Sequence, residues 1–214
     1  MHHEHLDLSA PIARKLNSIS LTSPEDVLPT SVVDIPSGES FSNSSCTTHD
    51  LFVLTGSVSC ANDMYEAGTY VGQADVRRII GGPEGARLLC WSIDTPLNGG
   101  PVIERPEDRA WVNGVTQGTS MVSMNDSHHK VILTSWQPGS RMKPHNHPGC
   151  EDFFVLTGEI IDGQDRYPAG SWRRWRIGEI HAPLSRTFTR ALVINGYCLP
   201  DDMSSKDVDR SYID

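Results

Sequence analysis

The chain repeats one segment of its own sequence at a fixed offset of 102 residues. Residues 49–56 (HDLFVLTG) match residues 151–158 (EDFFVLTG), and residues 65–68 (YEAG) match residues 167–170 (YPAG). A match that keeps one offset over about 35 residues indicates that the same supersecondary unit occurs twice. We therefore predict two copies of one fold.

Both copies have the sequence pattern of β-structure. Short apolar runs alternate with turns that contain Gly, Pro, Asn and Asp. The clearest runs are Leu51–Leu54, Leu88–Ile93, Val131–Trp136, Phe153–Leu156 and Leu192–Ile194. Many short strands predict an all-β sandwich or barrel, and the only segment that favours a helix is Pro11–Asn17.

The repeat also predicts where the chain divides. A length of 214 residues suits one large domain or two small ones. The segment Asp94–Pro101, rich in Pro and Gly, is the predicted connection between the halves. We predict an N-terminal extension at residues 1–25, a first copy at 26–102 and a second copy at 103–214.

Composition restricts the partners and the compartment. The formal net charge of -9 argues against a nucleic-acid partner, which requires basic surface. No apolar stretch is long enough to span a membrane, and the N-terminus lacks the pattern of a signal peptide. The five cysteines include no C-x-x-C pair, so neither a disulfide framework nor a structural zinc site is indicated. We expect a cytoplasmic protein with no nucleic-acid and no membrane partner.

Two histidines one residue apart, His145 and His147, form the pattern of a metal site. On a strand they point to the same face, so one ion can bind a nitrogen of each without distorting the backbone. His181 adds a third nitrogen and Glu151 a carboxylate oxygen, a set typical of Zn, Fe, Ni, Mn or Cu. Singly, each is more simply explained as a surface residue, but together they predict a metal site.

These residues resemble the first motif of the cupins, in which a glycine precedes H-x-H, a glutamate and a second glycine. Every position is matched: Gly139, His145, His147, Glu151 and Gly158. The second motif is matched by Gly170, Gly178 and His181. Arg176 stands where the family has proline and Ser185 where it has asparagine, and neither position is a ligand in the family pattern.

The resemblance covers residues 110–200 strongly and the first half weakly. The longer run from His147 through Pro183 looks like the ChrR-like cupins, which include the cupin half of zinc anti-sigma factors and enzymes of the dihydroxyacetophenone dioxygenase type. It implies a double-stranded β-helix, also called a jelly roll. With the repeat, it implies a bicupin with two tandem cupin repeats.

The first copy lacks the metal pattern. At the 102-residue offset, the four predicted ligands correspond to Asn43, Ser45, His49 and Ile79. Only one of these is a good ligand, and His49 is more simply explained as a packed or hydrogen-bonded side chain. We predict one divalent transition metal per chain, with Fe²⁺ favoured for function and Zn²⁺, Mn²⁺ or Ni²⁺ as alternatives.

Other histidines are not expected to belong to the site. His2, His3 and His5 are predicted to lie in a disordered terminus, although they could bind metal weakly. His128 and His129 would point to opposite faces of a strand, and a solvated loop is favoured for them.

Side chains around the predicted metal suggest how a substrate would bind. Strand alternation predicts that Arg141 and Lys143 face inward with the histidines, where they would act on an anionic or enolate-forming substrate as catalytic residues, together with Arg173. The alternative is that they extend to the barrel mouth. The run from Ser171 to Arg176 is also consistent with an amphipathic strand with Trp inside and Arg in water. Predicted substrate-binding residues, each also a candidate core residue, are Trp136, Phe153, Tyr167 and Trp175.

Three functions follow from the site and the resemblance. The favoured one is a non-haem iron dioxygenase that cleaves a C–C bond of a small enolisable ketone or phenol. The second is a zinc or manganese cupin with isomerase, hydrolase or decarboxylase chemistry. The third is a ChrR-like ligand or redox sensor, which the lack of cysteine in residues 1–30 disfavours. The expected partner is a small molecule, and a homodimer is possible.

Overall fold

The computed structural model describes residues 3–23, 26–41, 48–60, 63–75, 79–92, 102–125 and 129–197. The chain forms two compact units. The N-terminal unit is residues 9–109, and the C-terminal unit combines residues 1–8 with 110–214. The predicted boundaries lay at residues 25 and 102, and the predicted connection Asp94–Pro101 lies outside the described residues.

The described residues of the N-terminal unit form seven strands. They are β2 (Asn17–Ser20), β3 (Thr30–Ile35), β4 (Thr48–Cys60), β5 (Asp63–Glu66), β6 (Tyr70–Asp75), β7 (Ile79–Ser92) and β8 (Val102–Glu104). A one-turn 3₁₀ helix follows at Pro106–Asp108. All the pairings are antiparallel, and the sheet has the order β2-β3-β7-β4-β6-β8, with β5 paired to β4.

The C-terminal unit is also antiparallel. Its strands are β1 (His3–His5), β9 (Val112–Asn113), β10 (Thr119–Asn125), β11 (Lys130–Trp136), β12 (Cys150–Thr157), β13 (Glu159–Asp162), β14 (Asp165–Pro168), β15 (Ser171–Trp175) and β16 (Thr189–Tyr197). The main sheet has the order β1-β15-β12-β16-β11-β10-β9, and β13 and β14 form a separate hairpin. The all-β prediction is confirmed, and among the described residues no helix is long and apolar enough to cross a membrane.

Five strands occur in the same order in both units. The series β2-β3-β7-β4-β6 of the N-terminal unit corresponds to β10-β11-β16-β12-β15 of the C-terminal unit. The sixth strand comes from a different part of the chain in each unit. At the edge of the sheet, β6 pairs with β8, whereas β15 pairs with β1. The sequence repeat is therefore a repeat of strand arrangement.

Two glycines at the repeat offset show how closely the units correspond. Gly56 and Gly158 have φ of 72° and 75°, a left-handed conformation that other residues rarely adopt. A Cβ at Gly56 would lie 2.1 Å from the carbonyl oxygen of Gly85, and one at Gly158 would lie 2.3 Å from that of Phe188. Both the backbone angle and the space require glycine, which explains why both copies keep it.

Each unit has its own apolar core. In the N-terminal unit the core includes Val33, Leu51, Val71, Ile79 and Leu88. In the C-terminal unit aromatic side chains dominate, and the core consists of Trp136, Phe153, Val155, Ile160, Tyr167, Trp175, Ala191 and Val193. Full burial of one such side chain stabilises the fold by about 1.5–3 kcal/mol.

The helix predicted at Pro11–Asn17 is wrong. Residues 11–16 have no regular structure, and Asn17 begins β2. Contacts with β3 and β7 hold the segment open: the Ala13 N–H donates to Asp34 Oδ2 at 2.9 Å, and Arg87 donates to the carbonyls of Ala10 and Pro11. Tertiary hydrogen bonds therefore override the local preference for a helix.

The disordered terminus predicted for the first histidines is wrong for residues 3–5. They form β1, which pairs with β15 so that His3 lies opposite Arg173 and His5 opposite Ser171. The Leu6 N–H then donates to the carbonyl of Gly170 at 3.0 Å. A side chain at Gly170 would lie 1.9 Å from the Leu6 carbonyl oxygen, so only glycine permits this approach. His2 lies outside the described residues.

Candidate metal centre

An isolated antiparallel bridge brings the first and last predicted ligands together. The His145 N–H donates to the His181 carbonyl at 3.0 Å, and the His181 N–H donates back at 2.9 Å. The Gly178 N–H donates to the carbonyl of His147 at 3.2 Å. Residues 143–147 form no continuous strand, so the strand alternation predicted for the histidine pair is wrong. The backbone pairing brings the histidines together instead.

The side chains of the four predicted ligands converge. The donor nitrogens of His145, His147 and His181 all lie within 4.8 Å of one another, and Nε2 of His147 is 3.0 Å from Nε2 of His181. From β12, Glu151 places Oε2 3.2 Å from Nε2 of His147 and Oε1 3.8 Å from Nε2 of His181. Among the described residues, the three histidines are the one group of three or more His, Cys, Asp or Glu side chains that could hold a metal ion.

The imidazoles are held in a form that can bind a cation. Burial, followed by the nearby His145, lowers the pKa of His147 to about 4. Burial and the other two histidines, followed by Arg173, lower the pKa of His181 to about 2. Both rings are therefore neutral at pH 7. Nδ1 of His145 donates to the Lys143 carbonyl at 2.8 Å, which leaves Nε2 of that ring with its lone pair.

The donor set fits a divalent transition metal. Three imidazoles and one carboxylate match the ligands of Zn²⁺, Fe²⁺ and related ions. Glu151 is 5% exposed, and a buried charge of this kind needs a cation or strong hydrogen bonds.

A cavity of about 90 Å³ adjoins the centre within the C-terminal unit. His145, Glu151 and His181 contribute polar atoms to its wall. Most of the lining is apolar or aromatic: Val115, Met121, Ile132, Trp136, Met142, Phe153, Trp175, Pro183 and Val193. The cavity therefore combines a polar end at the candidate ligands with apolar sides, as ligand sites commonly do.

Three of the four predicted substrate-binding residues line this cavity. They are Trp136, Phe153 and Trp175, and Trp175 also lies 4.5 Å from His181 between ring centroids. Tyr167 does not line the cavity; it packs in the core, with its ring 6.2 Å from that of Trp175. The structure therefore places Tyr167 behind the cavity wall.

The predicted catalytic cations do not reach the cavity. Arg141 and Lys143 are exposed, because the segment that contains them is not a strand and does not alternate. Arg173 is buried on β15, where Nη1 donates to the Arg174 carbonyl at 2.7 Å and Nη2 pairs with Glu179. None of the described residues that line the cavity is a lysine or an arginine.

Strand β15 is not amphipathic in the predicted sense. All five of its residues are buried, including Arg173 and Arg174. The guanidinium of Arg173 lies 5.4 Å from the Trp175 ring centroid, and that of Arg174 lies 5.4 Å from Trp172. Arg174 also donates two hydrogen bonds to Asp152, at 2.6 and 2.7 Å. Arg173 therefore supports the cavity wall and does not line it.

The two described positions of the N-terminal unit that correspond to candidate ligands, His49 and Ile79, do not form such a centre. His49 is buried, and its Nε2 lies 3.0 Å from Ser92 Oγ. Burial lowers its pKa to about 4, although Asp50 acts in the opposite direction. Ile79 is fully buried in the apolar core. Asn43 and Ser45 lie outside the described residues, as does His128, whereas His129 is buried and not in a solvated loop.

Sequence reasoning missed two polar residues of the cavity, Thr134 and Asn195. Asn195 lies on β16 opposite Glu151 and lines the cavity with its side chain 2% exposed. The dipeptide Asn195-Gly196 has the pattern of a turn, so the strand was predicted to end at Ile194. In the structure β16 continues to Tyr197, and Gly196 takes a φ of 79° within it.

Comparison with known proteins agrees with this fold. Residues 100–196 match the family model of the ChrR cupin-like domain. No curated protein matches the sequence. Because the family match spans less than half of the chain, it concerns the unit that contains the candidate metal centre.

Solved structures resemble the chain over most of its length. A "putative dioxygenase" of Nostoc punctiforme PCC 73102 has a TM-score of 0.71 at 12% identity, over 95% of this chain and 86% of that one. A mutant of Bacillus subtilis oxalate decarboxylase has a TM-score of 0.64 at 11% identity, over 91% and 77%. The Ylba protein of E. coli has a TM-score of 0.63 at 10% identity, over 91% and 87%. At such identities the similarity shows the fold, and the predicted cupin fold is confirmed.

Proposed function

We propose that this protein is a metal-dependent bicupin enzyme, and that it acts as a non-haem iron dioxygenase on a small enolisable ketone or phenolic substrate. One observation carries the proposal: three imidazoles and a buried carboxylate converge at the polar end of an apolar, aromatic cavity. The structural similarity to the "putative dioxygenase" of Nostoc punctiforme supports the same class of reaction.

His145, His147, Glu151 and His181 would hold the metal. A bound divalent ion would supply a Lewis acid for a substrate oxygen and, as Fe²⁺, would pass electrons from the substrate to O₂ during C–C cleavage. The chain's own contribution is positional. Trp136, Phe153 and Trp175 exclude water from the reacting atoms and orient a flat substrate against the polar end of the cavity.

The charges around the cavity favour a substrate that binds as a monoanion, such as an enolate or phenolate, over a dianion. With a divalent ion, the three neutral histidines and Glu151 leave a net charge of one positive unit. A substrate that loses a single proton on binding neutralises it, whereas a dianion would leave an excess negative charge in apolar surroundings. No lysine or arginine among the described lining residues is present to balance that charge.

Metal analysis and oxygen consumption test this function. The protein purified without chelator should contain one equivalent of iron, and iron-loaded protein should consume O₂ only when a substrate ketone or phenol is added. His147→Ala should lose both properties, whereas His49→Gln, altered in the other unit, should keep them. Absence of substrate-dependent O₂ consumption across diketones, hydroxyketones and phenols with iron bound would overturn the dioxygenase assignment. Turnover under anaerobic conditions with zinc or manganese would instead support a non-redox cupin enzyme.

A ligand sensor is the second candidate, favoured by the match of residues 100–196 to the ChrR cupin-like model. It would use the same centre to bind a small molecule without converting it. Tight, metal-dependent binding of a ketone or phenol with no product formed would distinguish the sensor from the enzyme.

We also propose a cytoplasmic location. The described cysteines Cys60, Cys90 and Cys150 form no disulfide, which is consistent with a reducing compartment. The net charge of -9 continues to argue against a nucleic-acid partner. Our expectations of no membrane partner and of a possible homodimer remain predictions, and sedimentation analysis tests the second.

A further inference from the structure

Asn195 places an unsatisfied polar group in the wall of the cavity. Asn195 is 2% exposed, and its Oδ1 accepts no hydrogen bond from any residue that the structure describes. Buried polar atoms in proteins are nearly always hydrogen-bonded, because leaving one without a partner is costly. A buried acceptor that lines a ligand cavity is therefore a candidate for contact with the ligand.

Asn195 differs from the other uncharged polar residue of the cavity wall, Thr134, in having an acceptor that is not already used by a described residue. It lies opposite Glu151 on neighbouring antiparallel strands, so the two side chains share the face that lines the cavity. The other uncharged polar side chain of the wall, Thr134, is already engaged. Its hydroxyl donates to the Ala191 carbonyl at 3.0 Å and accepts from Trp136 Nε1 at 3.1 Å.

We propose that Asn195 is a specificity-determining residue whose side-chain carbonyl accepts a hydrogen bond from an O–H or N–H of the substrate. This rests on the proposed function, since the donor must lie next to the substrate oxygen that the metal binds beside Glu151. The preferred ligand is small, because the cavity measures about 90 Å³. It is neutral in solution, because no lysine or arginine among the described lining residues balances a permanent negative charge. Analogues without the donor leave the amide unsatisfied and bind more weakly.

Two hydroxamates test this without turnover. Acetohydroxamic acid chelates metals through two oxygens and has an N–H beside them, whereas N-methylacetohydroxamic acid lacks that N–H. Their dissociation constants for zinc-loaded protein are measured through the fluorescence of Trp136 and Trp175, which line the cavity. Wild-type protein should prefer the N–H compound, and in Asn195→Leu the ratio of the two constants should fall about tenfold.

Thermal unfolding gives a second readout. Asn195→Leu removes the unsatisfied group, so the metal-free variant should melt about 2–4 °C above the metal-free wild type. Thr134→Val is the matched control in the same wall. It removes a satisfied hydroxyl, so it should lower the melting temperature and leave the hydroxamate ratio unchanged. Asn195→Ala repeats the affinity comparison should the leucine variant not fold.

The outcomes separate this inference from the function on which it rests. Equal affinity of wild type for the two hydroxamates, or an unchanged ratio in Asn195→Leu, overturns the role of Asn195 and leaves the metal centre standing. Failure of zinc-loaded protein to bind either hydroxamate overturns both proposals. Failure of the protein to bind zinc at all overturns the assignment of the metal centre itself.

Discussion

The two units share five strands in one order, yet they use their buried polar groups differently. In the C-terminal unit the polar side chains converge on one spot: Glu151 faces the imidazoles of His147 and His181. In the N-terminal unit the residue at the same offset, His49, is a neutral imidazole beside Ser92. Ile79, at the offset of His181, packs in the core. The fold therefore forms without the histidines, and packing does not explain their presence in the C-terminal unit.

The largest effect that tests this difference is loss of the metal. His147→Ala removes one nitrogen of the candidate centre, and we expect metal affinity to fall by more than about 100-fold, since even changes behind a ligand cost 10–100-fold. Elemental analysis of the purified variant measures the loss. The control is His49→Ala, which should keep one metal per chain. Two equivalents of metal per wild-type chain, or metal retained in His147→Ala, would contradict the assignment of a single metal centre to the C-terminal unit.

Each unit also contains one buried, two-point arginine–aspartate pair, and here the units should behave alike. Arg87 donates to Asp34 at 2.7 and 2.8 Å, and Arg174 donates to Asp152 at 2.6 and 2.7 Å. Removal of either arginine leaves a buried carboxylate, so Arg87→Ala and Arg174→Ala should each lower the free energy of unfolding by about 3–5 kcal/mol. Urea unfolding measures both values.

The exposed pair of Arg166 with Glu159 is the control for those substitutions. Arg166→Ala should leave the urea midpoint unchanged, because solvent screens an exposed pair. If Arg166→Ala lowered the free energy of unfolding as much as Arg174→Ala, burial would not explain the stabilisation by the arginine–aspartate pairs.

The pH dependence of stability isolates the histidine of the N-terminal unit. The pKa of His49 is about 4 in the folded chain and near 6.5 when unfolded. Between these values the unfolded chain binds a proton that the folded chain does not. Lowering the pH from 6.5 to 4 should therefore reduce the free energy of unfolding by about 3 kcal/mol, and raising the pH above 6.5 should have no effect through this group.

His49→Gln tests that value. Wild type and variant are unfolded in urea at several pH values after removal of metal, so that the metal-site histidines contribute equally to both. Between pH 6.5 and pH 4, the free energy of unfolding of the variant should fall by about 3 kcal/mol less than that of the wild type. Identical pH profiles would show that the environment of His49 does not lower its pKa.

The smallest predicted effect tests the repeated glycine. Gly56→Ala and Gly158→Ala should each destabilise by about 2 kcal/mol or more, because the new Cβ meets a carbonyl oxygen and the backbone is left-handed. Gly139 has a φ of 91°, and a Cβ added there would have no atom within 4 Å, so Gly139→Ala should cost only about 1 kcal/mol. Unequal losses of unfolding free energy at residues 56 and 158, measured by urea unfolding, would show that the two glycines are not equivalent.

The sequence was sufficient for the parts of this molecule that depend on short-range pattern. Alternating apolar runs and turn residues predicted the all-β class, and the repeat predicted two similar units. The motif spacing identified His145, His147, Glu151 and His181, which the structure brings together. Their role as metal ligands remains a prediction.

The failures have different physical causes, and only the first depends on contacts between distant residues. The segment around Ala13 is held open by Asp34 and Arg87, far along the chain. Arg173 is buried because Glu179 pairs with it and Trp175 stacks on it, which no alternation pattern reveals. Asn195 was missed because Asn-Gly has the local pattern of a turn.

Strand β1 has a consequence for how this protein is made and divided. Its residue His3 pairs with Arg173, 170 positions later in the chain. During synthesis at about 5–20 residues per second, β1 must wait roughly ten seconds or more before its partner leaves the ribosome. A fragment beginning at residue 110 would lack β1 and present β15 as an open edge, a template for association between molecules. The unit with the candidate metal centre is thus discontinuous, and expressing it alone requires the first eight residues to be supplied separately or joined by a new linker.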